Sequence, residues 1–114
     1  MLSAEHGAFV GINYHENEDA AKDVLKKIHG LKGGGVLLKG DVSSTWDVNR
    51  MVQQLVEQRK HIDVLVLNAG IYKRSSFAAL SREQWDETVA VNLTGCFNVC
   101  KAALPCMREG SSII

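Results

Sequence analysis

Ile62-Asp63-Val64-Leu65-Val66-Leu67-Asn68-Ala69-Gly70 is the stretch on which the fold turns. Up to Leu67 the run is apolar apart from Asp63, and it stops abruptly at Asn-Ala-Gly. A short continuous apolar run ended by a turn signal reads as a buried parallel strand, here over residues 62–67. Gly70 offers a backbone that chain or ligand can approach closely. Asn68 carries a short amide that can bond local backbone. An ordinary strand end would use the same three residues, so the flanking sequence has to decide.

On the N-terminal side, residues 47–60 carry Val48, Met51, Val52, Leu55 and Val56 at helical spacing, with Ser44, Thr45 or Asp47 available as the cap. Val36-Leu37-Leu38 before them is a short strand, entered through Gly33-Gly34-Gly35 and closed by Gly40-Asp41-Val42-Ser43. Residues 16–29 place Ala20, Ala21, Val24, Leu25 and Ile28 on one helix face. Asn17 caps that helix, and Glu18 and Asp19 come early, where negative charge suits the dipole. Lys26, Lys27 and His29 come late, and Gly30 ends it. Residues 8–14 favour a first strand, and residues 1–6 read as the last turn of a helix. On the C-terminal side, Ser81-Arg82-Glu83-Gln84 is a capping box. The helix it opens places Trp85, Val89, Leu93, Cys96, Cys100, Leu104 and Met107 on one stripe. It can reach Arg108 unless Pro105 stops it. Gly110-Ser111-Ser112 turns, and Ile113-Ile114 begins a strand.

Strand, helix, strand, helix, strand, helix, strand start predicts one α/β domain over residues 1–114, with a parallel sheet covered by helices and right-handed crossovers. Ligands of such sheets bind at the carboxyl ends of the strands. Asn13-Tyr14-His15, Asp41-Val42 and Asn68-Ala69-Gly70 all fall at that edge.

Composition excludes several classes. The 114 residues are 46% hydrophobic and 23% charged, enough apolar material for a core. Thirteen basic and thirteen acidic residues cancel, so no strong field draws nucleic acid or an anionic membrane surface. No uninterrupted apolar run is long enough to span a bilayer. Residues 1–7 are too short and polar for a secretory signal. Cys96, Cys100 and Cys106 are an odd set within one helix, which suits reduced thiols in a cytoplasmic compartment. Cys96 and Cys100 share a helix face, but nothing around them has metal-ligand spacing, so no metal site is expected.

Four short motifs together resemble the short-chain dehydrogenase/reductase family. Asn68-Ala69-Gly70 matches the second half of its Asn-Asn-Ala-Gly motif, with Leu67 in place of the first Asn. Val91-Asn92-Leu93-Thr94-Gly95 resembles the segment carrying its helix asparagine, and Gly40-Asp41-Val42-Ser43 its Asp-Val pair. Ile12-Asn13-Tyr14-His15, followed by residues 18–21, resembles its second strand and the next helix. The resemblance runs from just before the family's second strand to the beginning of its fifth. It implies a partial doubly wound, Rossmann-type sheet lacking the first strand and the C-terminal strands. Asp41 would accept a hydrogen bond from the adenine amine, with Val42 beside the ring, while Ala69 and Gly70 lie against the cofactor ribose and Asn68 steadies the strand end. Asn92 would be the helix member of the catalytic tetrad. Asn13, Tyr14 and His15 occupy the position that chooses the cofactor. With no acidic residue before Glu16, they favour NADP(H), NAD being the alternative.

The implied reaction is hydride transfer between nicotinamide and a carbonyl or alcohol, with acyl-carrier-bound substrates the nearest match and a homo-oligomer the family's habit. The departures matter as much. The family's glycine-rich phosphate loop has no counterpart here. No Tyr-x-x-x-Lys pair occurs: Tyr14 is followed by Glu18, and Tyr72 by Ser76. Ser111 and Ser112 do not match the catalytic serine. The expectation is therefore an oxidoreductase by family that does not turn over as these 114 residues. In the family's order, 3-2-1-4-5, the first strand pairs with the second and the fourth. Its absence predicts a gap, a collapsed sheet or marginal stability. The rival reading is a non-catalytic interaction piece. It would use Phe97, Val99, Ala102 and Ala103 as an interface face of the long helix.

Overall fold

The computed structural model describes residues 2–114. In chain order it contains α1 (Leu2–Glu5), β1 (Val10–Tyr14), α2 (Glu18–His29), β2 (Gly35–Lys39), α3 (Thr45–Arg59) and β3 (Ile62–Leu65). A 3-10 turn (Phe77–Ala79) precedes α4 (Arg82–Val89), a π-helical turn (Ala90–Thr94) and α5 (Gly95–Ala103). A 3-10 turn (Leu104–Cys106) then leads into β4 (Met107–Ile113).

The helix starts follow their local chemistry. The Asn17 side chain accepts from the Ala20 amide at 3.1 Å, and Ser44 from the Asp47 amide at 3.3 Å. Ser81 and Gln84 form both halves of the capping box. Each satisfies donors that the first helical turn leaves open.

Among the described residues the strands form two separate parallel pairs, β1 with β2 and β3 with β4, and β1 does not pair with β3. Direct pairing of the two strands is therefore not what the chain adopts. Between β1 and β2 the register is regular, from Val10 against Gly35 to Tyr14 against Lys39. Between β3 and β4 it slips, with Ile62 facing Met107 but Val64 facing Ser112. The slack is taken up by a bulge in which Gly110 has φ of +88°, a conformation natural to glycine. Here Ser111 Oγ donates to the Ile62 carbonyl at 3.2 Å. The last strand thus begins at Met107, not Ile113, and the helix stops short of Arg108 because Pro105 sits in the closing 3-10 turn. The opening run is strand only as far as Leu65, although Leu67 still donates to the Ile114 carbonyl at 2.7 Å.

The core lies between β2, α3 and α5. Leu38, Val42, Val48 and Met51 are buried, with Val36, Val52, Leu55, Val91, Val99 and Ala102 packed around them. This corrects the expected phase of the long helix. Trp85, Leu93 and Leu104 of the expected core stripe are exposed. The face that meets the core is Gly95, Asn98, Val99, Ala102 and Ala103. The shift is present on both sides of the π-helical turn, since Trp85 before it and Leu104 after it are both exposed. The stretch Arg82–Cys106 is long and apolar enough, by length and composition, to cross a membrane. Its first turns carry Arg82, Glu83, Asp86 and Glu87, so it is not an uninterrupted apolar run.

Candidate functional site

Three strand ends open on one edge. At the end of β1 the Tyr14 carbonyl accepts from the Gly40 amide at 2.9 Å, which ties that end to the segment after β2. Asn13 strengthens the tie. Its Nδ2 donates to the carbonyls of Leu38 (3.1 Å) and Gly40 (3.0 Å), with Met51 Sδ at 3.0 Å. Its donors are therefore engaged inside the fold. His15, one residue on, is exposed.

After β2 the chain turns through Asp41, Val42 and Ser43. Asp41 Oδ1 accepts from the Ser43 amide at 2.8 Å, and its second oxygen has no partner among the described residues. The Asp41 amide donates to Asp47 Oδ2 at 3.0 Å. That bond and the Arg50 guanidinium, 3.1 Å from Asp47 Oδ1, hold the Asp47 carboxyl below its ordinary range. His15 contributes a smaller favourable charge to the same carboxylate. The Val42 side chain is buried against Gly95 rather than turned to the edge. The Val42 backbone N–H has no hydrogen-bond partner among the described residues. A free carboxylate oxygen beside a free amide is an acceptor–donor pair, the complement of a base edge that offers an amine beside a ring nitrogen.

After β3, Asn68, Ala69 and Gly70 are exposed and irregular. The Asn68 amide makes none of the local backbone bonds expected of it. The segment is held one residue later. Asn92 Oδ1 accepts from the Ile71 amide at 2.8 Å and Nδ2 donates to the Ile71 carbonyl at 2.9 Å. A Cβ on Gly70 would lie 3.4 Å from Asn92 Oδ1, in ordinary contact with it. Asn92 sits within the π-helical turn, a distortion that occurs frequently at functional sites. Its main-chain carbonyl accepts from the Cys96 thiol at 3.2 Å.

Contacts link these residues in two groups: Asn92 holds the segment of Gly70 and Ile71, while Val42 meets Gly95 and Asn98 of α5 and the Tyr14 carbonyl meets Gly40. Asn98 was missed by sequence reasoning. It is buried and donates from Nδ2 to the carbonyls of Val42 (3.1 Å) and Ser43 (3.3 Å). The available signal was an Asn three residues after a glycine in a largely apolar helix. Two hollows of about 410 and 440 Å³ lie elsewhere, along α3 and α5, lined by residues such as Asn49, Val52 and Ala102. The described residues contain no cluster of metal-ligating side chains, and Cys96, Cys100 and Cys106 are free thiols.

A family model described as enoyl-(acyl carrier protein) reductase matches residues 1–114. A 3-oxoacyl-(acyl-carrier-protein) reductase of Staphylococcus epidermidis is 32% identical over 112 residues, covering 97% of this chain and 46% of that protein. A short-chain dehydrogenase/reductase from Brucella melitensis superposes with a TM-score of 0.87 at 35% identity, over 98% of this chain and 47% of its own. A short-chain dehydrogenase from Burkholderia cenocepacia, solved in complex with NADP, gives 0.91 at 29% identity, over 96% and 45%. The chain thus spans a little under half the length of the relatives it matches.

Proposed function

We propose, from the premise that this chain belongs to the short-chain dehydrogenase/reductase family, that its carboxyl edge holds the adenosine half of a nicotinamide dinucleotide. One observation carries the reading: in the turn after β2, Asp41 keeps one carboxylate oxygen, and Val42 its backbone N–H, without a hydrogen-bond partner among the described residues. They suit the amine and ring nitrogen of adenine. The bare backbone of Ala69 and Gly70 suits the ribose, and Asn92 holds the turn that follows. The cofactor we assign is NADP(H) in preference to NAD(H), because Asn13, Tyr14 and His15 supply no carboxylate to repel a 2′-phosphate. With the Asn13 donors engaged, His15 is left as the polar contact for that phosphate.

The cofactor supplies hydride chemistry on a carbonyl or alcohol, and the substrate class is a 3-oxoacyl group carried on acyl carrier protein. Asn92 serves as the positioning member of the catalytic set. As these 114 residues the chain binds but does not turn over, because it has no Tyr-x-x-x-Lys pair to protonate the carbonyl oxygen. A homo-oligomer and a cytoplasmic setting fit the family and the three free thiols. The test is a titration of the isotope-labelled chain with NADP and with NAD, followed by amide chemical shifts. Shifts at Asp41, Val42, Ala69 and Gly70, larger or at lower concentration with NADP, are expected. No shift with either nucleotide overturns the reading, and turnover of a ketone by NADPH overturns the inactivity.

A further inference from the structure

We propose that Asn98, backed by Gly95, is the positioning residue that sets the adenine-reading edge. The inference rests on the reading of Asp41 and Val42 as that edge, and goes beyond it by saying what holds the edge in shape. Among the described residues Asn98 is the one buried polar side chain, at 8% exposure. Its amide donates to two consecutive carbonyls, those of Val42 and Ser43. The Ser43 amide is fixed from the other side by Asp41 Oδ1, and the Ser44 amide by the Asp41 carbonyl at 3.1 Å. The peptide groups around Val42 are thereby held, while its own N–H is left without a hydrogen-bond partner among the described residues.

Gly95 completes the arrangement. A Cβ there would fall 2.6 Å from Val42 Cγ2 and 3.2 Å from Val42 Cβ, closer than atoms tolerate. The helix can therefore lie against Val42 only with hydrogen at position 95. α5 continues from the turn in which Asn92 grips Ile71. One helical column thus clamps the segments after β2 and after β3 by two amides, and it fixes their separation.

Discrimination between adenosine 5′-monophosphate and inosine 5′-monophosphate tests this role. Inosine replaces the amine by a carbonyl and carries hydrogen on the neighbouring ring nitrogen, so it opposes both groups of the edge. The wild-type chain should prefer the adenosine ligand by about tenfold. Asn98→Leu removes the clamp, and Gly95→Ala displaces Val42 without removing a hydrogen bond. Both should bring the ratio close to one at temperatures where the variant is folded. Val52→Ala, which thins the core beside α5, should lower the unfolding temperature and leave the ratio unchanged. Variants that fold and keep the wild-type ratio overturn the positioning role while the adenine reading stands. A wild-type chain that binds neither ligand overturns both.

Discussion

At the residue scale, the edge separates groups that build it from groups it can offer. Asn13 was legible as a polar residue at a strand end, but its engagement with two carbonyls and Met51 was not, because sequence does not say which segment faces it. Asp41 was legible by its Asp-Val pair, and its geometry leaves one oxygen available. Asp47, read only as a possible cap, instead accepts the Asp41 amide and pairs with Arg50. Its folded-state pKa lies below its ordinary 3.8. A carboxyl shifted in that direction stabilises the fold above its unfolded pKa and loses the contribution as pH falls through the folded one. Asp47→Asn should therefore be less stable than wild type at neutral pH, with the two stabilities converging as pH falls below the ordinary carboxyl value of 3.8. Thermal unfolding across that range measures it. Parallel curves would mean that the carboxylate does not hold the segment. Glu18, lowered by its bond to Lys22, leaves a residual acid slope in both proteins.

At the element scale, local signals were the legible ones. Asn17, Ser44 and the Ser81–Gln84 box all lie at helix starts, because capping depends only on residues within one turn. The face of the long helix was not legible, since it depends on which neighbour the helix meets. Large apolar residues drew the expected stripe, yet small ones make the contact: Gly95 and Ala103 are buried, while Leu93 and Leu104 are 68% and 60% exposed. Close approach of α5 to the core selects for small side chains. The same exchange weakens the reading of an interface built from Phe97, Val99, Ala102 and Ala103, because Val99 and Ala102 pack on the core and Ala103 is buried. Two substitutions on one helical column check the phase. Leu93→Ser should change the free energy of unfolding by less than about 0.5 kcal/mol, as exposed positions do. Ala103→Leu should cost about 1–3 kcal/mol by overpacking. Denaturant titration of the pair decides it, and the reverse order would restore the original stripe.

At the scale of the whole molecule, the alternation of elements was legible and the pairing of the strands was decided by what could reach what. The radius of gyration is 15.4 Å, against about 13 Å for a compact chain of this length. The accessible surface is 7971 Å², against about 6,200 Å² for a compact protein of this mass. Part of that surplus lies at the open strands, where Val64 and Val66 are more than half exposed. The backbone shows which groups the gap leaves open. Val10 donates its N–H to Gly34 and Tyr14 accepts from Gly40, so the alternate residues Val10, Ile12 and Tyr14 turn toward β2. Gly11 and Asn13 then turn their N–H and C=O groups to the unpaired side. On β3 the Leu65 carbonyl and the Leu67 amide engage Ile114, which turns Val64 and Val66 the other way. Amide hydrogen exchange should follow this alternation, with Ile12, Tyr14 and Leu67 protected and Gly11, Asn13, Val64 and Val66 exchanging quickly. Protection of the second group in the isolated chain would mean that the two sheets close on one another.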